Sequence, residues 1–293
     1  MSEIAVIGLG IMGAPMAANL VAAGHTVRGF SRSAQTRATA AAQGVTAVSS
    51  AREAVTGADV VITMLPDTPD VEAVVLGEGG VAGALTEGTL FIDMSSIEPT
   101  MALTLHETLG NRGIDVLDAP VSGGQAGAIE GTLSIMVGGD AAVVERARPI
   151  LDVVGSTVVH VGPAGSGQSV KAANQLMVAG HLQMLAEALV LLRTQGVDLD
   201  RALDVLGAGL AGSTVIARKR ANYLDYSFTP GFRLALHRKD LGIVQNAAER
   251  AGVVLPLTAA VTALVEQLVA QGHGDLDHSA LYLLATESNG LSA

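Results

Sequence analysis

The chain has no cysteine. That excludes disulfides, thiolate zinc sites and a cysteine nucleophile, and it fits a cytoplasmic protein. Tryptophan is absent too, and aromatics make up only 2% of the 293 residues. The core must therefore be built from Ala, Val, Leu and Ile, a composition common in helix-rich and α/β proteins. Basic residues are scarce: 17 Lys and Arg face 28 Asp and Glu, a formal charge of −11. No basic field offsets phosphate repulsion, which argues against nucleic acid as a partner. Met1-Ser-Glu3 leads straight into an apolar run with no basic stretch before it, so no signal peptide is expected. The most apolar long segment, 174–193, contains His181, Gln183 and Glu187. These break the ~18-residue uncharged stretch expected of a membrane span. A soluble protein, with no membrane partner, is expected.

This length suits one large domain or, more naturally, two. Short apolar runs occupy 4–7, 26–30, 60–64, 90–93 and 114–117, with helical spacing over 12–23, 34–43 and 100–110. Apolar runs alternating with helices predict a buried parallel sheet, and so an α/β domain of the Rossmann-type doubly wound class. A helix from about Ala141 and a strand over 157–161 follow. Beyond Pro163 only helical segments are predicted: 167–193, 200–207, 214–221, 232–251, 257–271 and a shorter one after Asp277. The expected organisation is an NADP-binding domain over 1–162, a long joining helix over 163–193 and an all-α C-terminal domain over 194–293. Ligands of open α/β sheets bind beyond the C-terminal strand ends.

Gly8-Leu9-Gly10-Ile11-Met12-Gly13 is a G-x-G-x-x-G between a predicted strand and a predicted helix, the context in which this pattern signals a dinucleotide. Gly8 permits the tight turn, Gly10 lets the backbone approach a pyrophosphate, and Gly13 lets helix and strand pack closely. The pattern alone also fits a plain turn. The second strand ends in Phe30-Ser31-Arg32-Ser33, without the acid that accepts from an NAD ribose. Arg32 can pair with a 2′-phosphate, and Ser31 and Ser33 can donate to it. NADP is the expected cofactor, with NAD the alternative.

Gly165-Ser-Gly167-Gln-Ser-Val-Lys171-Ala-Ala-Asn174-Gln175 opens the long predicted helix. Lys171, Asn174 and Gln175 are three and four residues apart and share a helix face. A lysine and two amides on one face can hold a carbonyl substrate; a solvated helix start fits the same residues. Ser122-Gly123-Gly124 offers a hydroxyl and unobstructed N–H groups suited to a carboxylate, or a plain glycine turn. The histidines (25, 106, 160, 181, 237, 273 and 278) show no metal-ligand spacing, so no metal site is expected.

Together these stretches resemble the β-hydroxyacid dehydrogenase family. Val6-Ile-Gly8-Leu-Gly10-Ile-Met12-Gly13-Ala-Pro15-Met16-Ala-Ala-Asn19-Leu20 is similar to its cofactor signature, Asp118-Ala-Pro-Val-Ser122-Gly123-Gly124 to its substrate segment, and 165–175 to its catalytic segment. Lys239-Asp240 falls where the family has a cofactor-side lysine. Within the family, the branch that reduces tartronate semialdehyde to glycerate is the most similar. The stretches that carry this are Val61-Ile-Thr-Met-Leu-Pro66, Ile92-Asp-Met-Ser-Ser-Ile97 and Gly209-Leu-Ala-Gly-Ser-Thr-Val215. Pro230-Gly-Phe-Arg233, Leu255-Pro-Leu-Thr-Ala259 and Asp277-His-Ser-Ala280 add to them.

The resemblance implies that Lys171 is catalytic, with Asn174 and Gln175 beside it, and that Ser122, Gly123 and Gly124 hold the substrate carboxylate. Leu65, Pro66 and Ser96 would line the nicotinamide side. Many members have asparagine four residues after the lysine, where this chain has Gln175; which amide meets the substrate stays open. Asp70 stands where relatives often have asparagine, and Lys239 serves the cofactor or is simply solvated. The implied reaction is NADP-dependent reduction of a small carboxylate-bearing aldehyde, or oxidation of the hydroxy acid. Other short semialdehydes, glyoxylate and 3-hydroxyisobutyrate stand as alternative substrates. A non-catalytic cofactor-binding sensor would be expected to lose Lys171 or the Ser122 loop, and an imine reductase usually lacks the lysine. Lys171 would donate the proton. With an ordinary pKa of about 10.4 a lysine is a slow acid near neutrality, and the apolar neighbours Val170, Ala172 and Ala173 suggest desolvation. The apolar C-terminal helices suggest a homodimer or homotetramer.

Overall fold

In a computed structural model that describes residues 1–291, the chain forms two units that divide between Lys171 and Ala172. The first begins with β1 (Glu3–Ile7), α1 (Gly13–Ala22), β2 (Thr26–Phe30), α2 (Ala34–Ala41), β3 (Thr46–Ala47), α3 (Ala51–Val55), β4 (Val60–Thr63) and α4 (Thr68–Val75). It continues with β5 (Leu90–Asp93), α5 (Pro99–Gly110), β6 (Asp115–Asp118), β7 (Val121–Ser122), α6 (Gly124–Glu130), β8 (Leu133–Gly138), α7 (Ala141–Val154) and β9 (Gly155–Gly162). The helix α8 (Ser166–Thr194) starts here and runs on into the second unit.

One sheet has the order β3-β2-β1-β4-β5-β6-β8-β7, with β9 beside β8. The six strands from β3 to β6 are parallel, in the order of a dinucleotide fold whose direction reverses beside β1. Their side chains alternate between two buried faces. Ile4, Val6, Ile62, Ile92 and Leu117 enter one core; Ala5, Ile7, Val61, Phe91 and Val116 enter the other. Burial on both faces explains why these strands read as unbroken apolar runs.

The strands expected to form a parallel sheet do so, and the sheet continues past them in mixed directions at its far edge. β8 runs antiparallel to β6 and β7, while β9 is parallel to β8. β8 lacks an unbroken apolar run because it is half-covered: Ser134 and Met136 are partly exposed between buried Leu133, Ile135 and Val137. The two-residue β3 and β7 and the short α3, α4 and α6 also escape the sequence pattern, being too short to show a period.

The second unit consists of the rest of α8 with α9 (Leu199–Ala208), α10 (Thr214–Leu224), α11 (Leu234–Ala251), α12 (Pro256–Leu268) and α13 (Leu281–Glu287). Among the described residues it holds no strand, only an isolated bridge between Arg233 and Asp277. By length and composition α8 is apolar enough to cross a membrane, so His181, Gln183 and Glu187 do not interrupt it as expected. Two of them pair one turn apart, Gln183 Nε2 donating to Glu187 at 2.7 Å. Ala179 and Leu182 of α8 are buried in a core with Leu234, Leu241, Val265 and Leu268, the packing of a core helix.

Candidate active site

The parallel strands end in register. Phe30, Ile7, Thr63, Asp93 and Asp118 stand side by side across β2, β1, β4, β5 and β6. Most residues expected to bind cofactor or substrate lie in the loops that follow these ends.

After β1 the three glycines have different structural reasons. A Cβ on Gly8 (φ 103°) would lie 2.2 Å from the Met64 carbonyl oxygen, and one on Gly13 would lie 1.9 Å from the Gly8 oxygen. Both are required by the fold itself. Gly10 is exposed, its φ is not left-handed, and a Cβ there would meet nothing within 4 Å. Nothing in the protein demands glycine at that position, whereas the close approach of a pyrophosphate does. Met12, before α1, gives no side-chain cap; in the first turn the Ala14 N–H already donates to the Gly10 carbonyl at 3.0 Å, and Pro15 has no N–H. Leu9 is buried beneath the loop and Ile11 is exposed on it. The residues present thus fit a dinucleotide.

After β2 no carboxylate intervenes, but Arg32 is not isolated. Its guanidinium lies 3.6 Å from Asp70 of α4, with most of the side chain exposed. Arg37 braces the turn by donating to the carbonyls of Ser31 and Arg32. Ser33 caps α2, its hydroxyl accepting from the Thr36 N–H at 3.2 Å, and Ser31 Oγ accepts from the Ser33 N–H. After β4, Leu65 is half-buried, Pro66 is exposed, and the Leu65 N–H donates to Ser95 Oγ at 2.9 Å. Ser96 is half-buried in the loop after β5.

Ser122 ends β7, and Gly123 and Gly124 follow with φ of 138° and 63°. Both have the positive φ that favours glycine; a Cβ on Gly123 would lie 3.1 Å from the Leu133 side chain, whereas one on Gly124 would meet nothing within 4 Å. Asn19 of α1 ties this turn's helix to the cofactor helix, its Nδ2 donating to the Ala128 carbonyl at 2.9 Å. Lys171, in the second turn of α8, is buried. Of the three neighbours expected to desolvate it, Ala172 is buried, while Val170 and Ala173 are exposed.

In the second unit the two amides form a chain. Asn174 Nδ2 donates to Gln175 Oε1 at 2.8 Å, and Gln175 Nε2 donates to Asp240. Lys239 lies 2.8 Å from the same Asp240 carboxylate, with its side chain 16% exposed. His237 Nε2 contacts the Gln175 carbonyl at 3.2 Å, and its Nδ1 lies 3.1 Å from His278 Nδ1. The buried Gln175 therefore has both ends of its amide engaged by protein. Among the described residues no cluster of three or more His, Asp or Glu side chains is placed to hold a metal.

Several polar residues are assigned no role by sequence reasoning yet sit at the strand ends. Asp93 and Asp118 are buried neighbours, and Gln168 is buried in the first turn of α8. Burial pushes the Asp93 carboxyl up to about 6, against the opposing bonds from Thr63 and Ser95. The available signal is an acid closing an apolar strand, a position where charge is costly unless something engages it.

Comparison with known proteins agrees with this arrangement. The family model for the NAD binding domain of 6-phosphogluconate dehydrogenase matches residues 3–162. A second, for the NAD-binding domain of NADP-dependent 3-hydroxyisobutyrate dehydrogenase, matches 165–285. The chain is 40% identical over 279 residues to 2-hydroxy-3-oxopropionate reductase of Escherichia coli, covering 95% of each. It is 41% identical over 289 residues to a probable 3-hydroxyisobutyrate dehydrogenase of Mycobacterium tuberculosis, covering 96% of this chain and 97% of that one. The solved structure of Mycobacterium tuberculosis 3-hydroxyisobutyrate dehydrogenase with L-serine matches with a TM-score of 0.87 at 39% identity, covering 97% and 99%.

Proposed function

The chain belongs to the β-hydroxyacid dehydrogenase family and is a nicotinamide-dependent oxidoreductase acting on CH–OH groups, and from that premise we propose that it reduces tartronate semialdehyde to glycerate with NADP as its cofactor. The observation that carries the reading is the buried Lys171 in the same unit as the glycine loop and the Ser122 turn. The relative that reduces 2-hydroxy-3-oxopropionate matches nearly end to end and supports the substrate. Arg32 and the lack of an acid after β2 support NADP.

When bound, the nicotinamide supplies the hydride to the aldehyde carbon. Ser122 Oγ and the N–H groups of Gly123 and Gly124 hold the substrate carboxylate, which fixes the aldehyde end relative to Lys171. The Lys171 ammonium donates a hydrogen bond to the aldehyde oxygen, stabilises the negative charge that grows there, and releases its proton to give the alcohol. Leu65, Pro66 and Ser96 flank the nicotinamide face, and Lys239 is assigned to the cofactor by the family resemblance. Asn174 meets the substrate, since Gln175 is already occupied by Asn174 and Asp240.

A second reading, 3-hydroxyisobutyrate dehydrogenase, is favoured by the mycobacterial relative and its solved structure. The two substrates differ by a hydroxyl against a methyl on the carbon beside the carboxylate, and an apolar pocket separates such isosteres by only about a hundredfold, so overlapping preferences are expected. We place the enzyme in the cytoplasm as a homodimer or homotetramer. The exposed Val170, Met177, Met184 and Leu191, spaced seven apart along α8, support a subunit contact.

The test is NADPH consumption with tartronate, methylmalonate and succinic semialdehydes, compared as kcat/KM. Preference for the first supports the glycerate-forming reading. Preference for another keeps the mechanism and changes the substrate. Turnover of none, or full activity in Lys171→Ala, overturns the assignment.

A further inference from the structure

Asp118 ends β6 with both carboxylate oxygens turned to the start of α8. Oδ1 accepts from the Gly165 N–H at 2.8 Å and Oδ2 from the Gln168 N–H at 3.0 Å. His106 lies 3.5 Å from Oδ1. Two glycines allow this approach. A Cβ on Gly167 would lie 2.4 Å from the Met136 oxygen, and one on Gly138 would lie 2.5 Å from Asp118 Oδ1.

Gln168 carries the link further. Its side chain is buried, Nε2 donates to the Ser95 carbonyl at 2.8 Å, and Oε1 accepts from the Ile97 N–H at 3.1 Å. The amide thus grips the backbone on both sides of Ser96. The Ser95 hydroxyl continues the chain to the Leu65 N–H at 2.9 Å. Lys171 follows Gln168 by three residues, so the two are neighbours along one helix face.

We propose that Gln168 and Asp118 are positioning residues, which hold Lys171 at a fixed offset from the Leu65 and Ser96 loops by anchoring the first turn of α8 to the ends of β5 and β6. The proposal rests on the proton-donor reading of Lys171. It explains why the turn before the lysine carries an amide with no access to solvent. An apolar side chain would fill that space but could not hold two backbone groups seventy residues away. Leaving the Ser95 carbonyl and the Ile97 N–H without partners would free the loop to shift. A misplacement of about 1 Å at a reacting group costs on the order of a hundredfold in rate.

The chain has three lysines, Lys171, Lys219 and Lys239, which makes the placement of one of them readable without turnover. In competitive acetylation of the cofactor-free protein, Gln168→Leu is expected to raise labelling of Lys171 against Lys219 by about threefold or more, as the anchored turn loosens. In the enzyme it lowers kcat by about tenfold or more while KM for the aldehyde changes less. Gln168→Glu gives a signature that a purely structural role would not. Its carboxylic acid can donate to Ser95 and accept from Ile97, but the carboxylate cannot donate. Its kcat relative to wild type therefore rises as pH falls, at temperatures where both proteins are fully folded.

An unchanged Lys171 to Lys219 ratio with unchanged kcat in Gln168→Leu overturns the proposal, as does a lowered Tm with both of those intact. If Gln168→Leu does not fold, a pH-independent kcat ratio in Gln168→Glu overturns it. Wild-type protein inactive on every aldehyde, combined with a labelling ratio that responds to Gln168→Leu, sinks the proton-donor reading and leaves the anchoring intact.

Discussion

Thr63 Oγ1 donates to Asp93 Oδ1 at 2.6 Å across the ends of β4 and β5, and the other carboxylate oxygen is buried without a hydrogen-bond partner. Asp118 stands next to it in register. Burial is the main reason that the Asp93 carboxyl is raised from 3.8 to about 6, and the neighbouring acid adds to it. A raised carboxyl keeps its proton in the folded chain over an interval where the unfolded chain has lost it. Its contribution to stability therefore declines as pH climbs from 3.8 to about 6 and stays low above that. Asp93→Asn removes this titration. Its Tm gain over wild type is expected to grow between pH 4 and pH 7, by the equivalent of at most about 3 kcal/mol. A Tm difference that is the same at both pH values would contradict it.

In the second unit the Lys219 ammonium lies 2.7 Å from buried Asp277, which also accepts from the Gly231, Phe232 and Ser279 N–H groups and from Ser279 Oγ. Burial alone pushes this carboxyl up, but the His278 and Lys219 charges and the hydrogen bonds from Lys219 and Ser279 outweigh it and hold it below 3.8. The pair's stabilisation is then present above 3.8 and fades as pH falls below it. Lys219→Met leaves a buried carboxylate short of its countercharge and is expected to cost about 3–5 kcal/mol in urea unfolding at pH 7. The loss should shrink in acid, where wild type also surrenders the interaction.

The glycine loop separates folding from binding. Gly13→Ala puts a methyl where the Gly8 oxygen already sits, and is expected to destabilise by about 1–3 kcal/mol. Gly10→Ala meets no protein atom and should leave stability within about 0.5 kcal/mol. It should nonetheless weaken NADPH binding by about tenfold or more, because the methyl occupies the path of the pyrophosphate. Binding measured by NADPH fluorescence, beside thermal melts, checks both. Equal affinity in Gly10→Ala would remove the phosphates from this loop.

Much of this arrangement is written locally in the chain. Ile4 to Ile7 and residues 60–63 are legible because burial on two faces demands unbroken apolar runs, and Gly8 and Gly13 because the strand–helix turn has no room for a Cβ. β8 is less legible because only one of its faces is fully covered. Gln168 cannot be read in advance for a different reason. Its partners are backbone groups of Ser95 and Ile97, which any sequence would supply, so the pairing leaves no mark in residue types. The burial of Lys171 is only partly legible in its apolar neighbours, of which Ala172 is buried but Val170 and Ala173 are exposed.

Arg32 meets Asp70 at 3.6 Å, and that contact sharpens the expectation for cofactor choice. A 2′-phosphate entering beside Arg32 competes with a half-buried carboxylate at 3.6 Å from a largely exposed guanidinium, a pair worth at most about 1 kcal/mol by itself. The phosphate carries more charge and a geometry suited to two guanidinium N–H donors, so it is expected to win the competition. Arg32→Ala is then expected to lower kcat/KM for NADPH by about tenfold while leaving that for NADH within about twofold. Arg37→Ala separates contact from support. Its guanidinium donates to the carbonyls of Ser31 and Arg32, so its loss loosens the turn for both cofactors alike. If Arg32→Ala leaves the NADPH-to-NADH ratio unchanged and Arg37→Ala lowers it, the phosphate contact belongs to Arg37, and the turn after β2 must open to admit it.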